Sequence, residues 1–277
     1  MSDAVAEAVA RLKQAGVGNA RLDARLLWEH AQAMEASALI AKGRLESIFE
    51  TLIARRIARE PLAYITGARE FWSLDFAVGP GVLIPRPDSE TLIEALLQDF
   101  PERAAPLSIL DLGTGSACLL IAALTQYPNA HGVGVDQSAA ALDWARRNVA
   151  VHRLEDRATL IESGWLEEAQ PGFDILLANP PYIRSADIAG LEPEIARYEP
   201  AAALDGGPDG LDAYQALAPR IARLLKPSGQ AFVELGAGQG EAAAMLMTAN
   251  DLKVVRLAPD LAGIPRCLVA KRNNRLP

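Results

Sequence analysis

SILDLGTGSACLL, residues 108 to 120, is an apolar run that closes on an aspartate, turns through two glycines and resumes as a second apolar run. The pattern predicts a buried strand, a tight turn and the start of a helix. Gly113 and Gly115 can take positive φ and let the backbone approach a ligand closely, which only glycine allows without steric cost. Six further strands are predicted downstream: AHGVGVD (130 to 136), ATLIES (158 to 163), FDILLAN (173 to 179), QAFVELG (230 to 236), LKVVRLA (252 to 258) and RCLVAKR (266 to 272). Helical segments such as ACLLIAALTQY and SAAALDWARRNVAVH lie between the early ones, the latter with Ser138 as its N-cap. Such alternation predicts an α/β domain with a seven-stranded, mostly parallel sheet and helices on both faces. Ligands in such sheets bind outside the carboxyl ends of the strands, near the point where strand order reverses.

Upstream the pattern differs. VAEAVARLKQAG, ARLDARLLWEHAQAM and GRLESIFETLIARRIARE have helical spacing, with Gly16 and Gly18 closing the first and Gly43 separating the other two. EFWSLDFAVGPGVLI, residues 70 to 84, carries aromatic and β-branched residues around Gly79-Pro80-Gly81 and predicts a hairpin turned there. The expected organisation is a small helical domain (1–69), a β-hairpin linker (70–87) and the α/β domain (88–277).

With 277 residues, half of them hydrophobic, the chain can bury a large core. The first sixteen residues contain no signal-peptide core, and ACLLIAAL at 117 to 124 is too short to span a bilayer. A cytoplasmic protein with no membrane partner is therefore expected. Cys118 and Cys267 lie far apart with no C-x-x-C pattern, and His30, His131 and His152 have no metal-ligand spacing. Neither a disulfide framework nor a metal site is expected, and Cys118 is read as core. A formal charge of −8 argues against nucleic acid as the main partner. The one basic run, Arg55, Arg56 and Arg59 followed by Arg69, is read as a solvated helical face.

Asp111 before the glycine turn and Asp136 at the end of the next strand set the ligand class. An acid at that second strand end can accept hydrogen bonds from both ribose hydroxyls of an adenosine. A dinucleotide fingerprint wants glycine or alanine where Cys118 stands, so that reading fails. D-L-G-x-G with an acidic second strand end resembles the class I S-adenosylmethionine-dependent methyltransferases, which are Rossmann-like. The resemblance implies S-adenosyl-L-methionine as cofactor and S-adenosyl-L-homocysteine as product. A second glycine cluster, ELGAGQG at 234 to 240, is read as a structural strand-to-helix turn, since one cofactor site per sheet is usual.

FDILLANPPYIRS, residues 173 to 185, ends an apolar strand on residues that strands disfavour. Pro180 and Pro181 have no N–H and fix φ at about −65°. The Asn179 side-chain oxygen and the Pro180 carbonyl can accept both hydrogens of one planar –NH₂ group, with the Tyr182 ring laid against it. That posture points the nitrogen's π electrons out of the acceptor plane. Orientation can contribute up to ~7–11 kcal/mol against ~3 kcal/mol for a hydrogen bond to developing charge, so no strong base is required. The N-P-P-Y corner resembles that of enzymes methylating exocyclic amino groups of bases as well as that of enzymes methylating protein glutamine.

PLAYITGAREFWSLDFAVGPGVLIPRPDSE, residues 61 to 90, narrows the choice. It resembles the linker of the bacterial release factor glutamine N5-methyltransferases, the HemK family, and the order of motifs continues through N-P-P-Y-I and EPAAALDGGPDGLDAY. The resemblance implies methylation of the glutamine in the Gly-Gly-Gln motif of class I peptide chain release factors, gripped by the helical domain. It implies Asp111, Gly113, Thr114, Gly115, Ser116, Ala117, Asp136 and Trp165 as cofactor residues, with Phe71 and Arg86 near the pocket mouth. Asn179, Pro180, Pro181 and Tyr182 would hold the glutamine amide, Asn179 also facing the cofactor. Two departures stand out: Ala117 replaces a frequent glycine, which a negative φ would accommodate, and Gly164 replaces an aspartate before Trp165. The rival expectations are an amino-methylating enzyme acting on nucleic acid and a non-catalytic ribosome-associated binding module.

Overall fold

The computed structural model describes residues 3–37, 44–164 and 171–273, so that Gly43 and Trp165 lie outside the described residues. The chain divides into two compact units, Met1–Ala68 with Leu191–Glu199, and Arg69–Gly190 with Pro200–Pro277. In chain order the elements begin with helices α1 (Asp3–Gln14), α2 (Ala20–Ala36), α3 (Leu45–Ile57) and α4 (Leu62–Thr66) and strands β1 (Ala68–Phe71) and β2 (Leu74–Ala77). There follow α5 (Glu90–Asp99), β3 (Ser108–Leu112), α6 (Cys118–Gln126), β4 (His131–Asp136), α7 (Ala139–Val151), β5 (Ala158–Glu162) and β6 (Phe173–Ala178). The chain closes with α8 (Pro193–Tyr198), α9 (Asp212–Leu224), β7 (Leu225–Glu234), α10 (Gly240–Ala249), β8 (Leu252–Pro259) and β9 (Pro265–Arg272). No described helix is long and apolar enough to cross a membrane.

In the first unit α1, α2 and α3 bury Val5, Leu12, Leu27, Phe49 and Ile53 in a common core. The basic run does not form the expected solvated face. Arg56, only 7% exposed, donates to Asp23 at 2.8 Å and to Glu194 at 2.7 Å, and Arg59 pairs with Glu192 and Glu194. Arg56 stands in the last turn of α3 and Arg59 just past its end, where a φ of 68° turns the chain, and both side chains reach Glu194 on α8. Burial works against the Glu194 charge, but the bonds from Arg59 and Arg56 outweigh it and lower its pKa to about 2. A segment far downstream in sequence is thereby fastened to the helices.

The second unit opens with the hairpin β1–β2. Its turn is not at Gly79-Pro80-Gly81, as composition predicts, but at Trp72 and Ser73, with φ of 54° and 57°. Positive φ at both central residues matches the twist of a two-residue hairpin loop. The strain is countered locally, since Trp72 N donates to the Glu90 carboxylate at 2.8 Å and Ser73 N to Glu70 at 2.5 Å. Gly79 instead passes under Trp144, where a Cβ would lie 2.4 Å from the indole.

The sheet runs β5-β4-β3-β6-β7-β9-β8, parallel except where β9 pairs antiparallel with both neighbours. Strand order reverses between β3 and β6, where open sheets hold ligands. The register is informative: Leu112 pairs with Val135 and with Ala178, and Ala178 pairs with Val233. The next residue on each strand is therefore Asp136, Gly113, Asn179 and Glu234. These four stand in one row across β4, β3, β6 and β7, at strand spacings of about 4.8 Å.

Candidate active site

A cavity of about 280 Å³ opens at this row. Its walls are Gly113 to Ser116, Asp136, Ser138, Ser163, Asn179 and Pro181, with Val82, Pro85 and Arg86 from the linker and Pro200, Ala202 and Ala203 from the loop after α8. The size suits one small molecule or the end of a side chain.

The turn after β3 is wound by residues 113, 115 and 117, with φ of 71°, 55° and 64°. Both Gly113 N and Thr114 N donate to Val135 O, at 2.8 and 2.9 Å. The Asp136 carboxylate is then fixed by Gly115 N and Ser138 N, each at 2.9 Å, one to each oxygen. A carboxylate has about four lone-pair sites, so the two not occupied here remain for a ligand. A Cβ on Gly113 would meet no atom within 4 Å, which leaves open space at the cavity wall. Arg86 is the one cation among the described wall residues. A carboxylate anchor with so little positive charge fits an uncharged ribose better than a phosphate.

Behind the turn, Asp111 is 1% exposed and accepts from Thr114 Oγ1 at 2.6 Å. Burial pushes its pKa up to about 7, the Asp136 charge adding to the shift and the Thr114 bond opposing it. Asn148, fully buried on α7, accepts from Ala77 N and donates to the Ala77 and Ser116 carbonyls, at 2.7, 3.1 and 2.9 Å. One side chain thus ties the end of β2 to the glycine turn.

At the end of β6, Asn179 Nδ2 donates to Ser89 Oγ at 3.0 Å, Ser89 donates to the Glu234 carboxylate, and Tyr182 donates to the same carboxylate at 3.2 Å. Glu234 is fully buried, and burial raises its pKa to about 7 against the Ser89 and Tyr182 bonds. Among the described residues no hydrogen bond reaches the Pro180 carbonyl. The corner is braced by glycine contacts: a Cβ at Gly206 would lie 2.8 Å from Pro181 O, and one at Gly210 2.5 Å from Tyr182 O. Gln239 Nε2 donates to Tyr182 O at 2.9 Å.

The expected site residues are thus brought together unevenly. Gly113, Thr114, Gly115, Ser116, Asp136, Arg86, Asn179 and Pro181 line the cavity, while Asp111, Ala117, Pro180 and Tyr182 are not among its wall residues. Phe71 is not at the mouth: it is 1% exposed and packs against Phe76, ring centroids 6.2 Å apart. Ala117 does not take the negative φ that would have accommodated it. Cys118 is a part-exposed wall residue rather than core, its thiol pushed up to about 12 by burial and so held neutral. ELGAGQG is more than a turn, because Glu234 closes the hydrogen-bond chain behind Asn179. Ser89, Asn148 and Glu234 were missed; of these only Ser89 had a signal, its place in LIPRPDSE.

Residues 3–67 match the family model described as PrmC N-terminal domain, and residues 86–192 match that of the Methyltransferase small domain. The chain is 45% identical over 268 residues to the release factor glutamine methyltransferase of Rhodospirillum rubrum, covering 95% of this chain and 82% of that one. It is 43% identical to the release factor glutamine methyltransferase of Bradyrhizobium diazoefficiens, covering 95% and 92%. Among solved structures, a methyltransferase from Pyrococcus furiosus superposes with a TM-score of 0.54 at 17% identity, over 79% of this chain and 96% of that one. At that identity the likeness establishes the fold.

Proposed function

The chain belongs to the release factor glutamine methyltransferases, and from that premise we propose that it methylates N5 of the glutamine in the Gly-Gly-Gln motif of class I release factors. S-adenosyl-L-methionine supplies an electrophilic methyl group on a sulfonium and leaves as S-adenosyl-L-homocysteine. The Asp136 carboxylate, pinned by two backbone N–H groups, is suited to accept from a ribose, and the backbone of Gly113 to Ser116 forms the adjoining wall.

The observation that carries the reading is the orientation of Asn179. Its Nδ2 is engaged by Ser89, which turns Oδ1 away from that bond as an acceptor. Asn179 Oδ1 and the Pro180 carbonyl accept the two hydrogens of the glutamine amide and hold it planar. Its nitrogen then presents π density perpendicular to the acceptor plane. Orientation is the main contribution, and accepting both bonds raises electron density on the nitrogen. Among the described residues no histidine lines the cavity, in keeping with a mechanism that uses no strong base.

The test is methyl transfer from labelled S-adenosylmethionine to a purified class I release factor, beside the same factor with its Gly-Gly-Gln glutamine changed to glutamate. Label on the first alone is expected. Label on neither, with cofactor bound, would overturn the assignment.

A further inference from the structure

We propose that Ser89 and Glu234 are positioning residues that fix which way round the Asn179 amide sits, and so whether an acceptor or a donor faces the substrate. The inference rests on the reading of Asn179 as an amide acceptor and concerns how that acceptor is kept in place.

The argument is one of proton counting. Ser89 has a single hydroxyl proton, and it lies between Asn179 Nδ2, at 3.0 Å from Oγ, and the Glu234 carboxylate. An ionised carboxylate only accepts, so the Ser89 proton must point to Glu234. Its oxygen is then left to accept, and only the –NH₂ end of Asn179 can satisfy it. Oδ1 is thereby left for the substrate. Tyr182, donating to the other Glu234 oxygen at 3.2 Å, engages the second side of the carboxylate. If Glu234 carries a proton toward Ser89, the chain reverses: Ser89 accepts from Glu234, donates to Asn179 Oδ1, and the amide turns its –NH₂ outward. An –NH₂ facing another –NH₂ cannot hold it.

Several groups bear on this switch. Asp88 disfavours and Arg266 favours the Glu234 charge, and these two form an ion pair with each other at 3.0 Å. Tyr182 and Tyr214 face it as neutral phenols, Tyr214 bonding to the Glu234 carbonyl, and Cys118 and Cys267 as neutral thiols. Burial places the midpoint at about 7.

The decisive variant is Glu234→Gln, which keeps the shape but offers an –NH₂ to Ser89. It is expected to fold and to bind S-adenosylhomocysteine like the parent, while kcat for release factor methylation falls about 10²-fold. Parent kcat should rise with pH around a midpoint near 7, and that inflection should vanish in Glu234→Gln. Ser89→Ala should lose about tenfold, Ser89→Thr should restore activity, and adding Glu234→Gln to Ser89→Ala should cost nothing more. Parent-like kcat and pH profile in Glu234→Gln, or a loss that tracks cofactor affinity, would overturn the proposal. The side-chain ¹⁵N resonance of Asn179 decides independently of any substrate. It should titrate in the parent and stay flat in Glu234→Gln, and a flat response in the parent would refute the network even if the enzyme methylates release factors.

Discussion

Ala117 shows how finely one position is balanced. It precedes α6 with φ of 64° and no exposed surface. A left-handed non-glycine residue costs about 1–2 kcal/mol. Replacing it by glycine would relieve that but cost about 0.4–1 kcal/mol in unfolded-chain entropy and about 0.8 kcal/mol for the lost methyl. The terms nearly cancel, which explains how alanine can stand at this positive φ. Ala117→Gly is expected to stay within about 1 kcal/mol of the parent in urea denaturation. Ala117→Val, adding a β-branch at the same φ, should lose more than about 2 kcal/mol. Equal stability of the two would refute the strain argument.

At the scale of elements, the loop between α8 and α9 shapes the Asn179 corner from outside the sheet. Leu204 and Gly206 exchange backbone bonds with Ile183, at 3.0 and 2.8 Å, and Gly210 lies so close that a Cβ would meet Tyr182 O at 2.5 Å. The neighbour is backbone, so it cannot swing aside, and φ at Gly210 is 79°. Gly210→Ala is therefore expected to lose about 2 kcal/mol and to lower kcat about tenfold by moving Tyr182. Gly190→Ala, which meets nothing within 4 Å, should be silent in both thermal melts and methyl transfer. Most elements were legible because the strands are apolar runs bounded by Asp, Gly or Pro, and six of the seven predicted strands fall within a residue of their observed ends. β7 begins five residues earlier than QAFVELG predicts: Leu225 already pairs with Phe173 across a register shift, although Pro227 and Gly229, residues that strands disfavour, stand between. The hairpin turn was misplaced because Trp72 and Ser73 are poor choices for positive φ, a cost countered by their backbone bonds to Glu90 and Glu70. Asp136, Gly113 and Asn179 could be read from motif alone. Glu234 could not, because its role depends on the β6–β7 register that sets it beside Asn179.

For the whole molecule, the half-buried Glu194 of the first unit and the buried Glu234 and Asp111 of the second have pKa values displaced in opposite directions, so the contributions of these groups to stability should respond to pH in opposite directions. In the first, Glu194 is held at about 2 by Arg59 and Arg56. A carboxyl with a lowered folded pKa contributes stability that is present above its unfolded value near 4.5 and is lost as pH falls toward 2. In the second, burial raises Glu234 from 4.5 and Asp111 from 3.8 to about 7 each. For these the sign reverses: the fold favours the protonated form, so their contribution is complete below about pH 4 and declines until pH passes about 7. Hydrogen exchange read peptide by peptide should therefore show α1 to α3 losing protection between pH 5 and pH 3. Over the same interval β3, β6 and β7 should not lose protection through these two groups. Glu234→Gln isolates one of them. At about 1.36 kcal/mol per pKa unit, the shift from 4.5 to about 7 sets an upper value of about 3 kcal/mol for the stabilisation of this variant over the parent at pH 8. The gain should vanish at pH 4, where the parent carboxyl is protonated in both states. A variant that gains nothing at pH 8 would mean that Glu234 titrates normally in the fold. A variant more stable yet slower would mean that the buried charge is kept at a cost in stability because it holds Asn179 the right way round.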